Sequence, residues 1–200
     1  AEDILLKTGR AIPVTLIVYH SIFIGICEQE FFMVALEITE IGALLRQMLK
    51  GSMFDHFLLQ EAVIHTACEY QIDGRLTEDY YSEEERADMG IADCRYIPFS
   101  LIRPFCLELM KGKRKPSFFR FVFVLSPRNQ ENTIRRSGSA FGAEDISGMF
   151  LNLTYKNGKL TCTTGISYHI FSMDKSLEQE WDRLAAVFFH QNGISAEPVR

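Results

Sequence analysis

The dipeptide Asn157-Gly158 lies between two segments in which apolar and polar residues alternate, and this arrangement constrains the fold more than any other feature of the sequence. The first segment covers residues 150–155 and the second covers residues 160–171. Asn and Gly both tolerate the positive φ that a type I′ turn requires, and alternation with a period of two is typical of strands. The sequence therefore predicts an antiparallel β-hairpin centred on this dipeptide.

Three other segments have the pattern of strands. Residues 34–38 alternate over a short length, and residues 64–72 alternate over a longer one before an Asp73-Gly74 pair that favours a turn. Residues 119–125 are apolar at every position but Arg120, so both faces of that strand are predicted to be largely covered. A strand covered on both faces lies inside a sheet, and the sequence therefore places residues 119–125 near the centre.

Apolar residues recur at helical spacing in two segments. In residues 40–50 the apolar stripe follows Thr39, which is predicted to cap the helix. Near the carboxyl end, Ser176 and Gln179 have the spacing of a capping box at the start of a helix. Trp181 lies on the apolar stripe of that helix, which favours a core position for the indole over a role as a ligand platform.

Three more segments are compatible with helices: an acidic stretch at 77–88, a stretch before Gly112 at 100–111, and a short stretch at 128–136. Pro104 is expected to be tolerated because the first amides of a helix have no intrahelical partner. Strands and helices are thus mixed without regular βαβ alternation. This mixture predicts an α+β fold with an antiparallel or mixed sheet and helices packed against it.

The chain is predicted to form a single domain, 33–193, between an amino-terminal extension, 1–32, and a tail, 194–200. The residues just before Met33 can be encoded by a purine-rich AGGAG and a short spacer, as in a bacterial ribosome-binding site. We therefore expect Met33 to be the natural start and the extension to be translated upstream DNA. The alternative is a genuine hydrophobic extension, because much of 11–27 is apolar.

Composition and charge narrow the class of protein. With 47% hydrophobic and 24% charged residues, the chain can bury a core. A net charge of −5 argues against general nucleic-acid binding, which depends on clustered Lys and Arg. The five cysteines never occur as C-x-x-C, which is typical of reduced thiols rather than of a disulfide framework or a zinc site. We expect a cytoplasmic protein with no cofactor and no membrane attachment.

Several pieces of the sequence resemble one family: MVALEIT at 33–39, IDGRL at 72–76, IRPFCLELMKGK at 102–113, LTCTTG at 160–165 and MDKSL at 173–177. The family is a domain-of-unknown-function family of short proteins from anaerobic, clostridia-like Firmicutes, and the resemblance runs from Met33 to about Phe189. It implies a bacterial cytosolic protein that starts at Met33. It implies no established activity, so it assigns no catalytic residue.

Several side chains are candidates for binding a ligand, and all of them but Asp73 are cations that could contact an anion. Most lie in a basic loop that follows a predicted helix, and the others flank the Asp73-Gly74 turn or begin a helix. The loop also has a structural explanation, because cations interact favourably with the carboxyl end of a helix. No group of potential ligands has metal-site spacing, and we predict no metal. The candidates are Asp73, Arg75, Arg103, Lys111, Lys113, Arg114 and Lys115.

The sequence does not decide whether the protein is an enzyme. No phosphate-loop, dinucleotide or hydrolase-elbow motif occurs, and Cys106 and Cys162 are explained as buried structural residues. We therefore predict a non-catalytic binding or interaction module whose partner is an anionic small molecule or a protein. One alternative is a hydrolase-like enzyme that acts on a phosphorylated or acidic small molecule through Asp73, Arg75 and the basic loop. The second alternative is local nucleic-acid binding through residues 111–115.

Overall fold

One eight-stranded sheet organises the protein in the computed structural model, which describes residues 35–199. Seven strands follow one another across the sheet in the order β3-β2-β5-β6-β7-β1-β8, β4 pairs with β2, and each of these pairings is antiparallel. The strands are β1 (Ala35–Ile38), β2 (Phe57–His65), β3 (Glu69–Asp73), β4 (Ile97–Pro98), β5 (Phe118–Leu125), β6 (Ile146–Lys156), β7 (Lys159–Tyr168) and β8 (Ala196–Pro198).

Five α-helices accompany the sheet in the described part of the chain, together with a short 3₁₀ turn at Ala143–Asp145. All the described residues belong to one compact unit. The predicted α+β fold with helices packed on an antiparallel sheet is confirmed. None of these helices is long and apolar enough to cross a membrane. The helices are α1 (Ile41–Lys50), α2 (Glu83–Asp88), α3 (Phe99–Met110), α4 (Pro127–Ser137) and α5 (Ser176–Gln191).

The main core lies between one face of the sheet and helices α1, α3, α4 and α5. Phe119, Phe121 and Phe123 alternate along β5 and are fully buried on that face. The ring of Phe99 in α3 meets the ring of Phe123 edge to face, with 4.9 Å between ring centroids. Trp181 is also core, with 4% of its surface exposed. Since β2 and β6 flank β5, the predicted interior position of this strand is confirmed.

A smaller core covers part of the opposite face. It consists of Leu58, Ile91 and Cys94, with partly buried residues from the segment 76–96 packed around it. Leu58 precedes Leu59, which belongs to the main core, and successive strand residues point to opposite faces. The segment that contains α2 therefore covers the far side of β2, and this explains why the strand is apolar on both faces.

The predicted hairpin is confirmed, with β6 and β7 joined at Asn157 and Gly158. Their φ angles of 54° and 81° are both positive, as a type I′ turn requires. β7 ends at Tyr168, before the predicted limit at residue 171. The amide of the next residue, His169, donates to the carbonyl of Asp145, which lies just before β6.

The single strand predicted at residues 64–72 is wrong, because the chain reverses at residues 66–68 and forms two strands, β2 and β3. Ile64 and Tyr70 are direct cross-strand partners, so they point to the same face. Their separation in sequence is even, and alternation therefore continues through the reversal. No Gly, Pro or Asn marks the turn, and periodicity alone could not reveal it.

The predicted capping residues of two helices are also wrong. Thr39 does not cap α1, whose N-cap is Glu40 and which has no side-chain capping bond. Ser176 is the first residue of α5 rather than its N-cap, and its amide donates to the carboxylate of Asp174 at 2.9 Å. Pro104 is the sixth residue of α3, beyond the amides that lack a partner, so the helix forms without one ladder bond.

Residues 194–200 were predicted as a tail, but most of them belong to the folded unit. Ile194 is 3% exposed in the main core, and β8 pairs with β1 through Leu36, Glu37 and Ile38. The amide of Ser195 also donates to the carboxylate of Glu40 at 2.8 Å. The proposals about residues 1–32 and the start at Met33 lie outside the described residues.

Candidate basic cleft

The loop between α3 and β5 forms one wall of a cleft of about 540 Å³. We call it the basic cleft and define it by its loop residues, Lys113, Arg114 and Lys115. The opposite wall is the surface of α1 at Ile41 and its neighbours, and the turn between β6 and β7 closes one side at Gly158. Helix α1 reaches this position because it follows β1, which lies beside β7 in the sheet.

The loop cations are exposed and have no partner within the part of the chain that the structure describes. Lys113, Arg114 and Lys115 make no hydrogen bond or ion pair with any residue between 35 and 199. None of the described residues that line the cleft is acidic. A local group of three positive charges can attract an anion even though the chain as a whole is negative.

The floor of the cleft is apolar and aromatic. Phe119, which is 1% exposed, stacks on Tyr155 with 5.0 Å between ring centroids and 13° between ring planes. Leu45 and Leu49 of α1 and Met110 at the end of α3 complete this surface. A ligand that fits here must present an apolar group to the floor and a negative charge to the loop.

The first turn of α1 also borders the cleft. Ile41 and Gly42, the first two residues of the helix, line the cleft. The first amides of a helix have no intrahelical partner and carry the positive end of the helix dipole. Glu40 does not cap them with its side chain, because its carboxylate accepts the amide of Ser195 and the hydroxyl of Thr39.

The remaining predicted site residues do not line this cleft. Lys111 lies at the end of α3 and approaches Glu108 at 3.4 Å, and both side chains are well exposed. Arg103 is half-buried on α3, where it donates to the carbonyl of Gly51 and forms an ion pair with Asp55. Arg103 therefore has a structural role between two segments, and it is not free to bind an anion.

Asp73 and Arg75 lie in another part of the sheet. The carboxylate of Asp73 accepts the amide of Arg75 at 2.9 Å, and the backbone of Arg75 pairs with Tyr96. Asp73 is the cross-strand partner of Glu61, whereas the basic loop enters β5 beside His65. Four residues along β2 correspond to about 13 Å. The structure therefore does not bring Asp73 or Arg75 to the basic cleft.

The two buried cysteines, Cys106 and Cys162, and the carboxylate of Glu61 have structural roles. Burial raises the pKa of Cys106 to about 12 and also raises the pKa of Cys162, so both thiols stay protonated at neutral pH. Glu61 forms an ion pair with Arg120 at 2.9 Å. In the described part of the chain, no group of three or more His, Cys, Asp or Glu residues is arranged to hold a metal ion.

The family model described as "Family of unknown function (DUF5721)" matches residues 47–197. The chain belongs to this family. No curated protein and no solved structure matches the chain. The DUF5721 match begins within α1 and ends in β8, so it contains the whole basic loop and the aromatic pair of the floor, Phe119 and Tyr155. It also includes β8, the segment that the sequence alone left as a tail.

Sequence reasoning missed a second cleft, of about 530 Å³, between α4 and α5. Its lining comes from residues far apart in the sequence, such as His56, Asn129 and Trp181. One local signal was present: Asn129, Asn132, Thr133 and Arg136 have helical spacing, and they place a polar stripe on one side of α4.

Proposed function

We propose that this protein is a non-catalytic binding module that holds a small amphipathic anion in the basic cleft. The observation that carries the proposal is the combination of three cations without a partner among the described residues, Lys113, Arg114 and Lys115, and an aromatic floor in one cavity. The volume of about 540 Å³ lies within the range of roughly 300–1,000 Å³ that small-molecule sites occupy.

Charge and shape together select the class of ligand. A hydrogen bond to a charged group contributes roughly 1.5–3 kcal/mol, so one or two of the loop cations can hold a phosphate or carboxylate. The loop is exposed, however, and salt screens an exposed charge pair. The partly exposed apolar side chains of the floor, Leu45, Met110 and Tyr155, must therefore supply much of the affinity through buried area.

Two other functions receive less support. A hydrolase that uses Asp73, Arg75 and the basic loop needs these groups in one site, and the distance along β2 keeps them apart. Nucleic-acid binding needs a basic surface longer than one loop, and the net charge is −5. The bacterial, cytoplasmic setting that the family resemblance implies remains part of this proposal.

The test compares phenyl phosphate with inorganic phosphate. We expect phenyl phosphate to raise the melting temperature at low salt, and we expect inorganic phosphate at equal concentration to raise it much less, because only the aryl ester covers the floor. Calorimetry should show that Lys113→Ala with Arg114→Ala weakens phenyl phosphate binding by at least about tenfold, which is about 1.4 kcal/mol.

The matched control is Lys50→Ala with Arg128→Ala. It removes the same two residue types from exposed positions that do not line the basic cleft, so binding should be unchanged. Equal binding of phenyl phosphate by both double variants would contradict the proposal, as would equal shifts from the two phosphates. Tight binding of a short oligonucleotide that the loop variant abolishes would favour the nucleic-acid alternative instead.

A further inference from the structure

The second cleft has walls of opposite character, and we call it the inter-helix cleft. Helix α4 contributes Asn129, Asn132, Thr133 and Arg136, which share one side of the helix because they are spaced by three, four and seven residues. Helix α5 contributes mainly apolar groups, among them Trp181, Leu184 and Phe188. Two packed helices normally present apolar stripes to each other.

The apolar wall has little hydrogen-bonding capacity left. The indole Nε1–H of Trp181 already donates to the carbonyl of Phe150 at 2.9 Å, so the tryptophan offers the cleft only its ring. Phe57 and Leu125, from the ends of two paired strands, continue the apolar surface. A flat aromatic molecule can pack against such a wall with its face.

The polar wall, in contrast, has unused donors and acceptors. The side chains of Arg136 and Gln191 are exposed, and neither makes a hydrogen bond or a close ion pair within residues 35–199, although the positive charge of Arg136 helps to lower the pKa of Glu180. Asn132 accepts a bond from Arg135 through its carbonyl oxygen, and its amide nitrogen has no partner among the described residues. The side-chain amide nitrogen of Asn129 donates to the carbonyl of His56 at 3.4 Å, so the side-chain oxygen of Asn129 is available to a ligand.

Amide groups of this kind recognise donors and acceptors that lie side by side on one edge of a ligand. Among the described residues that line the cleft, Arg136 is the only Lys or Arg, so the site does not favour a multiply charged ligand. We propose that the inter-helix cleft binds a planar nitrogen heteroaromatic of the size of a nucleobase or nucleoside. Its face contacts α5, its hydrogen-bonding edge contacts α4 and Gln191, and it carries at most one negative charge.

This ligand differs from the amphipathic anion of the basic cleft, and the two sites share no lining residue. The proposal therefore does not rest on the function proposed above. The two can also be tested separately, because the sequence contains one tryptophan, and that residue lines only the inter-helix cleft. Its fluorescence reports on this cleft.

The experiment titrates the full chain with adenosine, guanosine and cytidine while the fluorescence of Trp181 is recorded, and calorimetry follows the same titrations. We expect a saturable change in fluorescence and matching heats with at least one nucleoside. Arg136→Ala with Gln191→Ala should weaken this binding by at least about tenfold, or about 1.4 kcal/mol. The basic-cleft variant, Lys113→Ala with Arg114→Ala, should bind the nucleoside as the wild type does.

The matched control is Arg128→Ala with Gln179→Ala, which removes the same residue types from exposed positions on the same two helices outside the cleft. It should bind the nucleoside normally. All these substitutions are at exposed positions, and unchanged melting temperatures would exclude a folding defect. The proposal is overturned if no nucleoside binds in either assay at millimolar concentration. It is also overturned if toluene binds as tightly as the nucleosides, or if the test and control variants bind equally.

Discussion

At the scale of single residues, close backbone approach constrains this sequence as strongly as the core does. Gly74 follows β3 directly, and its amide donates to the carbonyl of Gln60 at 2.9 Å. A Cβ atom added at Gly74 would lie 1.8 Å from the carbonyl oxygen of Leu59, which is backbone and cannot rotate away. The turn chemistry of Asp73-Gly74 suggested this glycine from sequence, but the reason for it is space rather than a positive φ.

Gly74→Ala should therefore destabilise the protein by at least about 2 kcal/mol, because the two segments must separate to admit the methyl group. Urea unfolding followed by circular dichroism measures the difference. Gly165→Ala is the matched control, since a Cβ at that position in β7 meets no atom within 4 Å. The control should be neutral or slightly stabilising, and equal destabilisation of both variants would refute the steric explanation.

At the scale of elements, the sequence predicted what depends on short-range chemistry. The β6–β7 hairpin follows from Asn157-Gly158, and the interior position of β5 follows from its apolar run. The helix starts were misjudged because an acceptor near the first turn can cap in more than one geometry, as Asp174 shows at α5. The basic loop was visible in the sequence, but the wall that α1 gives it depends on the distant pairing of β1 with β7.

Asp182 on helix α5 and Asp174, which lies just before the helix, are two carboxylates whose environments shift the pKa in opposite directions. Burial raises the pKa of Asp182, whose carboxylate accepts a bond from the hydroxyl of Thr164. A raised folded-state pKa means that the carboxyl contributes stability below its unfolded pKa of about 3.9 and that this contribution is lost as pH rises. Asp182→Asn should therefore stabilise the protein at pH 7, and the difference should disappear in acid.

Asp174→Asn is the control, because Asp174 lies just before the same helix and its effect on stability should have the opposite sign. The amide of Ser176 lowers the pKa of Asp174, so this carboxylate contributes stability above its unfolded pKa, which is lost as pH falls. Its substitution should destabilise at pH 7 and have less effect in acid. Unfolding curves of both variants across pH test the pair, and parallel behaviour of the two would contradict this account.

At the scale of the whole molecule, the two clefts lie at opposite ends of one continuous core. Phe119, near the start of β5, lines the basic cleft, and Leu125, at the end of the same strand, lines the inter-helix cleft. A row of buried aromatic rings lies between these positions, and Phe121 and Phe123 stack at 5.9 Å between ring centroids. The sequence could not show this arrangement, because both clefts are assembled by strands and helices that are distant in the chain.

The carboxyl-terminal segment belongs to the same cooperative structure. A chain that ends at Gly193 should lose at least about 2 kcal/mol of stability, because it lacks the buried side chain of Ile194 as well as β8. Chemical denaturation measures the loss, and removal of Arg200 alone serves as the control, because the amide of Val199 still donates to the carbonyl of Ala35. If the longer truncation were as stable as the control, residues 194–200 would be a tail, as the sequence suggested.

The place of β1 in the sheet has a consequence for the order of events during synthesis. β1 is the first described strand to leave the ribosome, but its two neighbours, β7 and β8, are among the last segments to be made. Its buried residues, Leu36 and Ile38, cannot be covered by these neighbouring strands until almost the entire chain has been synthesised. Contacts of such high sequence separation form late, so the nascent protein exposes an unpaired apolar strand until translation is nearly complete.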